Sequence, residues 1–214
     1  MLTAIVIETL YVSFVASCAF YIADRNRRLY AFSRHSGIRY MGLALLYLGI
    51  GFIFRYTLML IRILQGDPII NTFGVLTGLM EVFLMLPGFL LLYSLIWHKT
   101  PYQKKVYWLI YGLVGGLALL DWYFQDLFFL YGSQILLFGV SAVVSLQKYK
   151  TKKSNYQQLY FITLVLFLLV WIFNGIAQYT IATHPYIRFY AYLLTLSACV
   201  IFVYIMRTLT RGFK

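Results

Sequence analysis

Seven long apolar runs, separated by short polar segments, are the feature that most limits what this chain can fold into. Each has about the 20 residues that a helix needs to cross the hydrocarbon core of a bilayer. None shows the alternation of apolar and polar residues expected of a barrel strand. The α-helix is the other structure in which all backbone hydrogen bonds are formed in lipid. The sequence therefore predicts an all-α membrane protein, one seven-helix bundle over residues 1–214. The predicted spans are 2–23, 40–64, 73–97, 106–122, 127–146, 159–179 and 187–206.

Composition supports the same conclusion. Hydrophobic residues make up 62% of the 214 residues and charged residues 11%, whereas a typical soluble domain has about 45–50% and about 25%. This balance excludes a soluble enzyme, a disordered chain and a small disulfide scaffold. The two cysteines, Cys18 and Cys199, both lie inside apolar runs, and we expect them to behave as inert small apolar side chains.

The basic residues predict how the chain is threaded. There are 18 Lys and Arg against 6 Asp and Glu, and 15 of the 18 fall in four segments on one side of the predicted bundle. By the positive-inside rule the N-terminus is outside and the C-terminus is cytoplasmic, in a multi-pass protein of the cell membrane. Nucleic acid is an unlikely class of partner on physical grounds, because its binding needs a continuous basic surface. We expect the basic loops to attract anionic lipid headgroups instead.

Charged residues inside the spans are the best functional signal, because a charge at mid-helix is costly in lipid. At 1.5 Å per residue, Arg55, Glu81 and Glu8 lie about 14, 12 and 9 Å below the outer ends of their spans. Asn174 and Gln178 lie in the outer third of the sixth span. The sequence therefore predicts one polar cluster in the outer half of the bundle, formed by these five residues.

Within this cluster we expect Arg55 to pair with Glu81, with Glu8 nearby. One interpretation is an ion pair that only fixes helix register, and the other is a ligand-binding pocket open to the outside. Further polar residues are expected at its rim: Asp121, Gln125, Asp126, Gln134 and His184. Pro87 lies six residues below Glu81 and is expected to kink the third helix, because it removes a backbone hydrogen bond.

Two segments of the sequence suggest an internal repeat. Ile53-Phe54-Arg55 aligns with Ile172-Phe173-Asn174, and both segments follow a basic loop by a similar distance. The alignment predicts a 3+1+3 plan of parallel repeats, a pattern known in transporters. Chance alignment of two apolar helices remains the alternative. In the fourth span, Gly112 and Gly116 have the spacing that lets helices approach closely, and we expect them to serve packing inside the bundle.

The motifs of common hydrolases, metalloproteases and nucleotide-binding proteins do not occur in the sequence. No cysteine or histidine spacing typical of a metal site is present either. We therefore expect no enzymatic activity, no catalytic residues, no bound metal and no cofactor.

Three families share parts of this plan. Microbial opsins are similar in topology, but residues 187–206 contain no lysine for a retinal Schiff base. SWEET-type sugar transporters and KDEL receptors share the 3+1+3 plan, but their diagnostic Pro-Gln pair is missing. Arg39-Tyr40-Met41-Gly42 leads from an Arg-rich loop into a Leu- and Gly-rich span. In this general pattern of spans and loops, the whole chain resembles the seven-helix sensor region found before prokaryotic, notably archaeal, histidine kinases. That resemblance implies no particular site residues.

The leading hypothesis from the sequence is a receptor-like or sensor-like membrane protein. It would bind a small polar or anionic ligand in an outward-facing pocket near Arg55 and pass a helix shift to a cytoplasmic or membrane partner protein. The first alternative is a small-solute or ion transporter with a charged site in the bundle. The second is a non-catalytic subunit of a membrane complex, in which the charges meet a partner's helices.

Overall fold

Seven helices account for nearly all of the structure, a computed structural model that describes residues 2–65, 70–97, 103–124, 126–180 and 186–211. Each of the seven is long and apolar enough to cross a membrane. The predicted all-α seven-helix bundle is confirmed, and the protein is a polytopic membrane protein. The helices are α1 (Leu2–Ser33), α2 (Ser36–Gln65), α3 (Ile70–Ile96), α4 (Gln103–Phe124), α5 (Phe128–Lys152), α6 (Asn155–Thr180) and α7 (Tyr186–Arg211).

The helices extend beyond the predicted spans, mainly at their basic ends. Only Arg34 and His35 separate α1 from α2, so most of the predicted first basic loop is helical. Lys153 and Ser154 separate α5 from α6 in the same way. Turns this short make the joined helices antiparallel neighbours. We call the end of the bundle at which α1, α3, α5 and α7 begin the upper end, and the opposite end the lower end.

These two turns have the same backbone construction. Arg34 and Lys153 adopt left-handed conformations, with φ of 54° and 45°. Each donates its backbone N–H to the carbonyl four residues earlier, at 2.9 Å to Tyr30 and 2.7 Å to Tyr149. This is the αL motif that ends many helices. The two turns are 119 residues apart, which is also the separation of Arg55 and Asn174.

Six helices form a closed ring in the order α1, α2, α3, α5, α6, α7, in which α7 returns to contact α1. The remaining helix, α4, lies outside the ring against α3 and α5. The Tyr111 hydroxyl of α4 lies 2.7 Å from that of Tyr47 on α2, which links α4 to the ring, and 2.7 Å from that of Tyr107 on α4 itself. The predicted internal packing role of Gly112 and Gly116 is wrong, because a Cβ added at either glycine would meet nothing within 4 Å.

The core runs through the middle of the ring. Val15, Ala44, Met85 and Leu90 are fully buried on the first three helices, and α3 is the most buried helix. This helix continues through Pro87 to Ile96, so the proline is accommodated inside a continuous helix. The packing brings polar side chains of different helices together at two places, around Arg55 and around Asp121.

Candidate functional site

Arg55 contacts the side chain of Asn174 across the ring. Its Nη1 and Nη2 atoms each lie 3.4 Å from Asn174 Oδ1, one donor pair facing one acceptor. The Nδ2 atom of Asn174 donates to the backbone oxygen of Val170 at 2.8 Å. This bond to its own helix fixes the amide, so its oxygen is held facing the guanidinium.

Aromatic residues and one carboxylate complete this group. Tyr192 of α7 donates its hydroxyl to Glu8 of α1, and the ring of Tyr192 stacks on Tyr11 with centroids 4.3 Å apart. Arg55 interacts electrostatically with Tyr131, Tyr11, Tyr192 and Glu8. We call Arg55, Asn174, Glu8 and Tyr192 the Arg55 cluster. It joins four helices in the half of the bundle nearer the upper end.

The predicted Arg55–Glu81 pair is wrong. Among the described residues, the ion pairs within 4.0 Å join Asp24 to Arg27 and to Arg28 at the lower end of α1. Glu81 instead interacts electrostatically with Asp121 of α4. The physical reason is the rotation of each helix about its axis: α2 presents Arg55 toward α6, whereas α3 presents Glu81 toward α4.

A small cavity adjoins Arg55 inside the ring, between α2, α3, α6 and α7. Its polar lining residues are Arg55, Asn174 and Thr195, and the remaining wall is apolar, including Phe52 and Trp171. The cavity volume is about 10 Å³, which corresponds to about one water molecule. The cavity therefore presents a cation and an amide to any small molecule that enters it.

Three of the four lining positions on α6 correspond to the three on α2, and Val170 is the fourth. Residues 48, 52 and 55 line the cavity from α2, and residues 167, 171 and 174 line it from α6. Each pair is 119 residues apart, the separation already found for the turns and for the Arg55–Asn174 bond. The cavity thus lies where two similarly built helices face each other.

A second polar group lies between α3, α4 and α5, and Asp121 is its centre. Its carboxylate accepts the backbone N–H of Phe129 at 2.8 Å and of Leu130 at 2.7 Å. These are donors in the first turn of α5, which otherwise have no helical acceptor. The residue before the helix, Leu127, contributes no side-chain cap. Asp121 therefore caps α5 from the end of the preceding helix.

Glu81 and Gln134 are the other members of this second group, which we call the Asp121 cluster. Gln134 is 0% exposed and donates its Nε2 to the backbone oxygen of Met85 at 2.9 Å. Glu81 is 2% exposed. Gln134 Oε1 and Glu81 Oε2 have no hydrogen-bond partner among the described residues. Asp121 and Gln134, expected at the rim of a pocket, are therefore buried between α3, α4 and α5, and neither lines the cavity.

The structure places the remaining predicted residues as follows. Asn174 is buried beside Arg55, as expected of a shared polar layer, whereas Gln178 is exposed one turn further along α6. Asp126 is exposed. Gln125 and His184 lie outside the described residues.

The sequence analysis missed Tyr192, a member of the Arg55 cluster, and also Tyr11 and Thr195 beside it. Tyr192 and Thr195 are three residues apart on α7 and therefore share a helix face. That spacing of two hydroxyls inside an apolar run was the available signal. Tyr11 could not be distinguished from the other tyrosines of the chain without knowing which face of α1 is buried.

No group of three or more His, Cys, Asp or Glu is placed to hold a metal ion within the part of the chain that the structure describes. Comparisons with protein families, with curated proteins and with solved structures find no match to this chain. The two polar clusters and the cavity are the features of the fold that bear on function.

Proposed function

We propose that this membrane protein is receptor-like and binds a small anionic or polar ligand in the cavity beside Arg55. The single observation that carries the proposal is the state of the Arg55 side chain. Its described hydrogen-bond partner is a neutral amide at 3.4 Å, and no described carboxylate lies within 4.0 Å of it. A cation inside a membrane bundle is expensive unless it is paired. An anion that enters the cavity would supply the missing charge.

The direction of access follows from the positive-inside rule, which is part of the proposal. The lower end of the bundle carries basic residues on the lower parts of α1 and α5, among them Arg25, Arg28, Lys148 and Lys150. We propose that this end faces the cytoplasm and anionic lipid headgroups of the cell membrane. The Arg55 cluster then lies in the half of the bundle nearer the outside.

A signal would arise from the contact between α2 and α6. A ligand changes the population of two helix arrangements only if it binds one of them more tightly. An anion on Arg55 would replace the long contacts to Asn174 and so favour an arrangement in which α2 and α6 are further apart. A partner protein at the lower ends of these helices would sense that change.

Transport of a small anion or polar solute is the second candidate, and one observation favours it. The cavity lies between α2 and α6. Three lining residues of α2 correspond to three of α6, and the turn before α2 corresponds to the turn before α6, each at a separation of 119 residues. Many transporters are built from structural repeats with the substrate site at the repeat interface near the bilayer midplane. The matching geometry supports the predicted 3+1+3 repeat, and with it this candidate.

The test is anion binding to the purified full chain in lipid nanodiscs. The probes are the sodium salts of chloride, formate, acetate and lactate, added at constant ionic strength while the thermal unfolding temperature is measured. We expect at least one anion to raise this temperature in the wild type. Arg55→Gln should lower the affinity for that anion at least about tenfold, or about 1.4 kcal/mol. Arg55→Lys should be intermediate, because lysine keeps the charge but not the planar fork.

Arg27→Gln is the matched control, because Arg27 is an exposed arginine at the other end of the bundle. It should leave anion binding unchanged. Equal loss in Arg27→Gln and Arg55→Gln, or no stabilisation by any of the probes, would contradict a site at Arg55. The same anion is then supplied to proteoliposomes: uptake that depends on Arg55 favours transport, and binding without uptake favours the receptor.

A further inference from the structure

The two cysteines of the chain meet in the fold, although they lie near its opposite ends. Cys18 belongs to α1 and Cys199 to α7, and no other cysteine occurs in the sequence. Both are free thiols. The two helices pack against each other, and the two thiols interact electrostatically. The sequence analysis expected two inert small apolar side chains, and it did not predict that they lie close together.

The register of α1 and α7 explains this contact. Both helices begin at the upper end, so they run parallel, and Tyr11 stacks on Tyr192 with ring centroids 4.3 Å apart. Cys18 and Cys199 each lie seven residues further along their helices. Seven residues are about two turns and about 10.5 Å of rise. Each cysteine therefore lies on the same face of its helix as the stacked tyrosine, two turns further along. The interface that holds Tyr11 against Tyr192 therefore also brings the two thiols to one level.

We propose that Cys18 and Cys199 are the site of an intramolecular disulfide that joins the first helix to the last. The oxidant is a lipid-soluble quinone, or another two-electron acceptor of that chemical class. The two S–H bonds break and one Sγ–Sγ bond forms. The two electrons and two protons pass to the quinone, which becomes a hydroquinone.

The burial of the two thiols assigns their order of reaction. Cys18 is half-buried on the flank of the bundle, whereas Cys199 is 4% exposed. An oxidant dissolved in the bilayer reaches Cys18 first, and Cys199 is the neighbouring thiol that completes the bond. Thiol oxidation follows access in this way: the more accessible thiol reacts first, and a neighbouring thiol then completes the disulfide.

The disulfide would close the ring covalently at the joint between α1 and α7. The same joint carries the hydrogen bond from Tyr192 to Glu8 in the Arg55 cluster. Oxidation would therefore hold α1 and α7 together on one side of the cavity. This consequence is independent of the ligand, because the bond involves no residue of the cavity wall.

The experiment uses the full chain in lipid nanodiscs, with diamide as the membrane-permeant oxidant. Diamide also takes two electrons and two protons, from the two thiols. After oxidation the protein is denatured, treated with N-ethylmaleimide and weighed by intact mass spectrometry. We expect a monomer that is lighter by two hydrogen atoms and carries no maleimide. Reduction with a phosphine before alkylation should restore both reactive thiols.

The matched control is the double variant Ser17→Cys with Cys18→Ser, which moves the thiol to an exposed neighbouring position on α1. It has the same number of cysteines, but the new thiol is rotated by about 100° around the helix. It should keep two thiols that react with maleimide. The proposal is overturned if the wild type also keeps two, if this variant is oxidised equally fast, or if the wild-type disulfide joins two copies of the chain.

Discussion

The Arg55 cluster and the Asp121 cluster both bury polar groups in the bundle, but they satisfy them in different ways. Asp121 and Gln134 bond to the backbone, at Phe129, Leu130 and Met85, with distances of 2.7–2.9 Å. In the Arg55 cluster Asn174 also bonds to the backbone of Val170. The contacts between helices there join side chains to side chains, including those of 3.4 Å between Arg55 and Asn174. A cavity adjoins Arg55.

This difference separates a structural role from a binding role. Backbone groups cannot change partner without disturbing a helix, so the short bonds of Asp121 belong to the fold. Side chains with long contacts beside an open space can exchange one partner for another. The comparison therefore predicts that changes in the Asp121 cluster alter stability, whereas changes in the Arg55 cluster alter binding. Four substitutions test it, and their effects should decrease in the order given.

Asp121→Ala should have the largest effect. The first turn of α5 would lose the acceptor of two buried backbone N–H groups, and each group left unsatisfied costs about 1–3 kcal/mol. We expect the free energy of unfolding, measured by denaturation in mixed micelles, to fall by about 2–4 kcal/mol. Asp126→Ala is the control on the same hairpin, because Asp126 is exposed. A loss no greater than that of the control would show that Asp121 is not the cap of α5.

Gly88→Ala should come second. A Cβ at this position would lie 2.6 Å from Gln134 Oε1 and 3.0 Å from its Nε2, so the buried amide would have to leave Met85. We expect a loss of about 1–2 kcal/mol in the same measurement. Gly139→Ala is the control, since a Cβ there meets nothing within 4 Å.

The contact between Gly88 and Gln134 can be isolated by a double-variant cycle. In a Gln134→Ala background the amide is absent, so Gly88→Ala should become nearly neutral. Sites in contact show coupling energies of about 0.5–3 kcal/mol. An unchanged penalty in that background would mean that another neighbour resists the added methyl group.

Glu81→Gln should raise stability by up to about 1 kcal/mol, because a buried carboxylate with an unpaired oxygen next to Asp121 is replaced by a neutral amide. The free energy of unfolding is again the measurement. The gain should shrink when Asp121 is already replaced by asparagine, since the repulsion between the two carboxylates is then gone. A loss above about 1 kcal/mol would instead assign Glu81 a stabilising partner.

Tyr192→Phe should have the smallest effect on stability, below about 1 kcal/mol, because the half-buried Glu8 can exchange the lost hydroxyl for water. The substitution should still lower the affinity for the anion that Arg55 binds, because Glu8 is then free to approach the guanidinium. Tyr204→Phe, at an exposed tyrosine of the same helix, is the control for both measurements. A destabilisation greater than that of Asp121→Ala would reverse the comparison and make the Arg55 cluster structural.

The sequence predicted the helices better than it predicted the site. Five residues were expected in one polar layer, and the structure separates them: Arg55, Asn174 and Glu8 lie together, Glu81 lies with Asp121, and Gln178 is exposed. The expected partner of Arg55 was the carboxylate on the next helix. The observed partner is on α6, 119 residues away. Helices that follow one another in sequence pack against each other here, but the residues that they bring together depend on how each helix is rotated.

The sequence by itself determined that this chain forms seven membrane-spanning helices and which polar residues they contain. The physical reason is local: in lipid a backbone must satisfy its own hydrogen bonds, so an apolar run of sufficient length becomes a helix. Only the tertiary structure decided that Arg55 meets Asn174, that Asp121 caps α5 and that Cys18 meets Cys199. Each residue turns a helix by about 100°, and the packing of the whole ring selects the rotation that turns a side chain toward its partner.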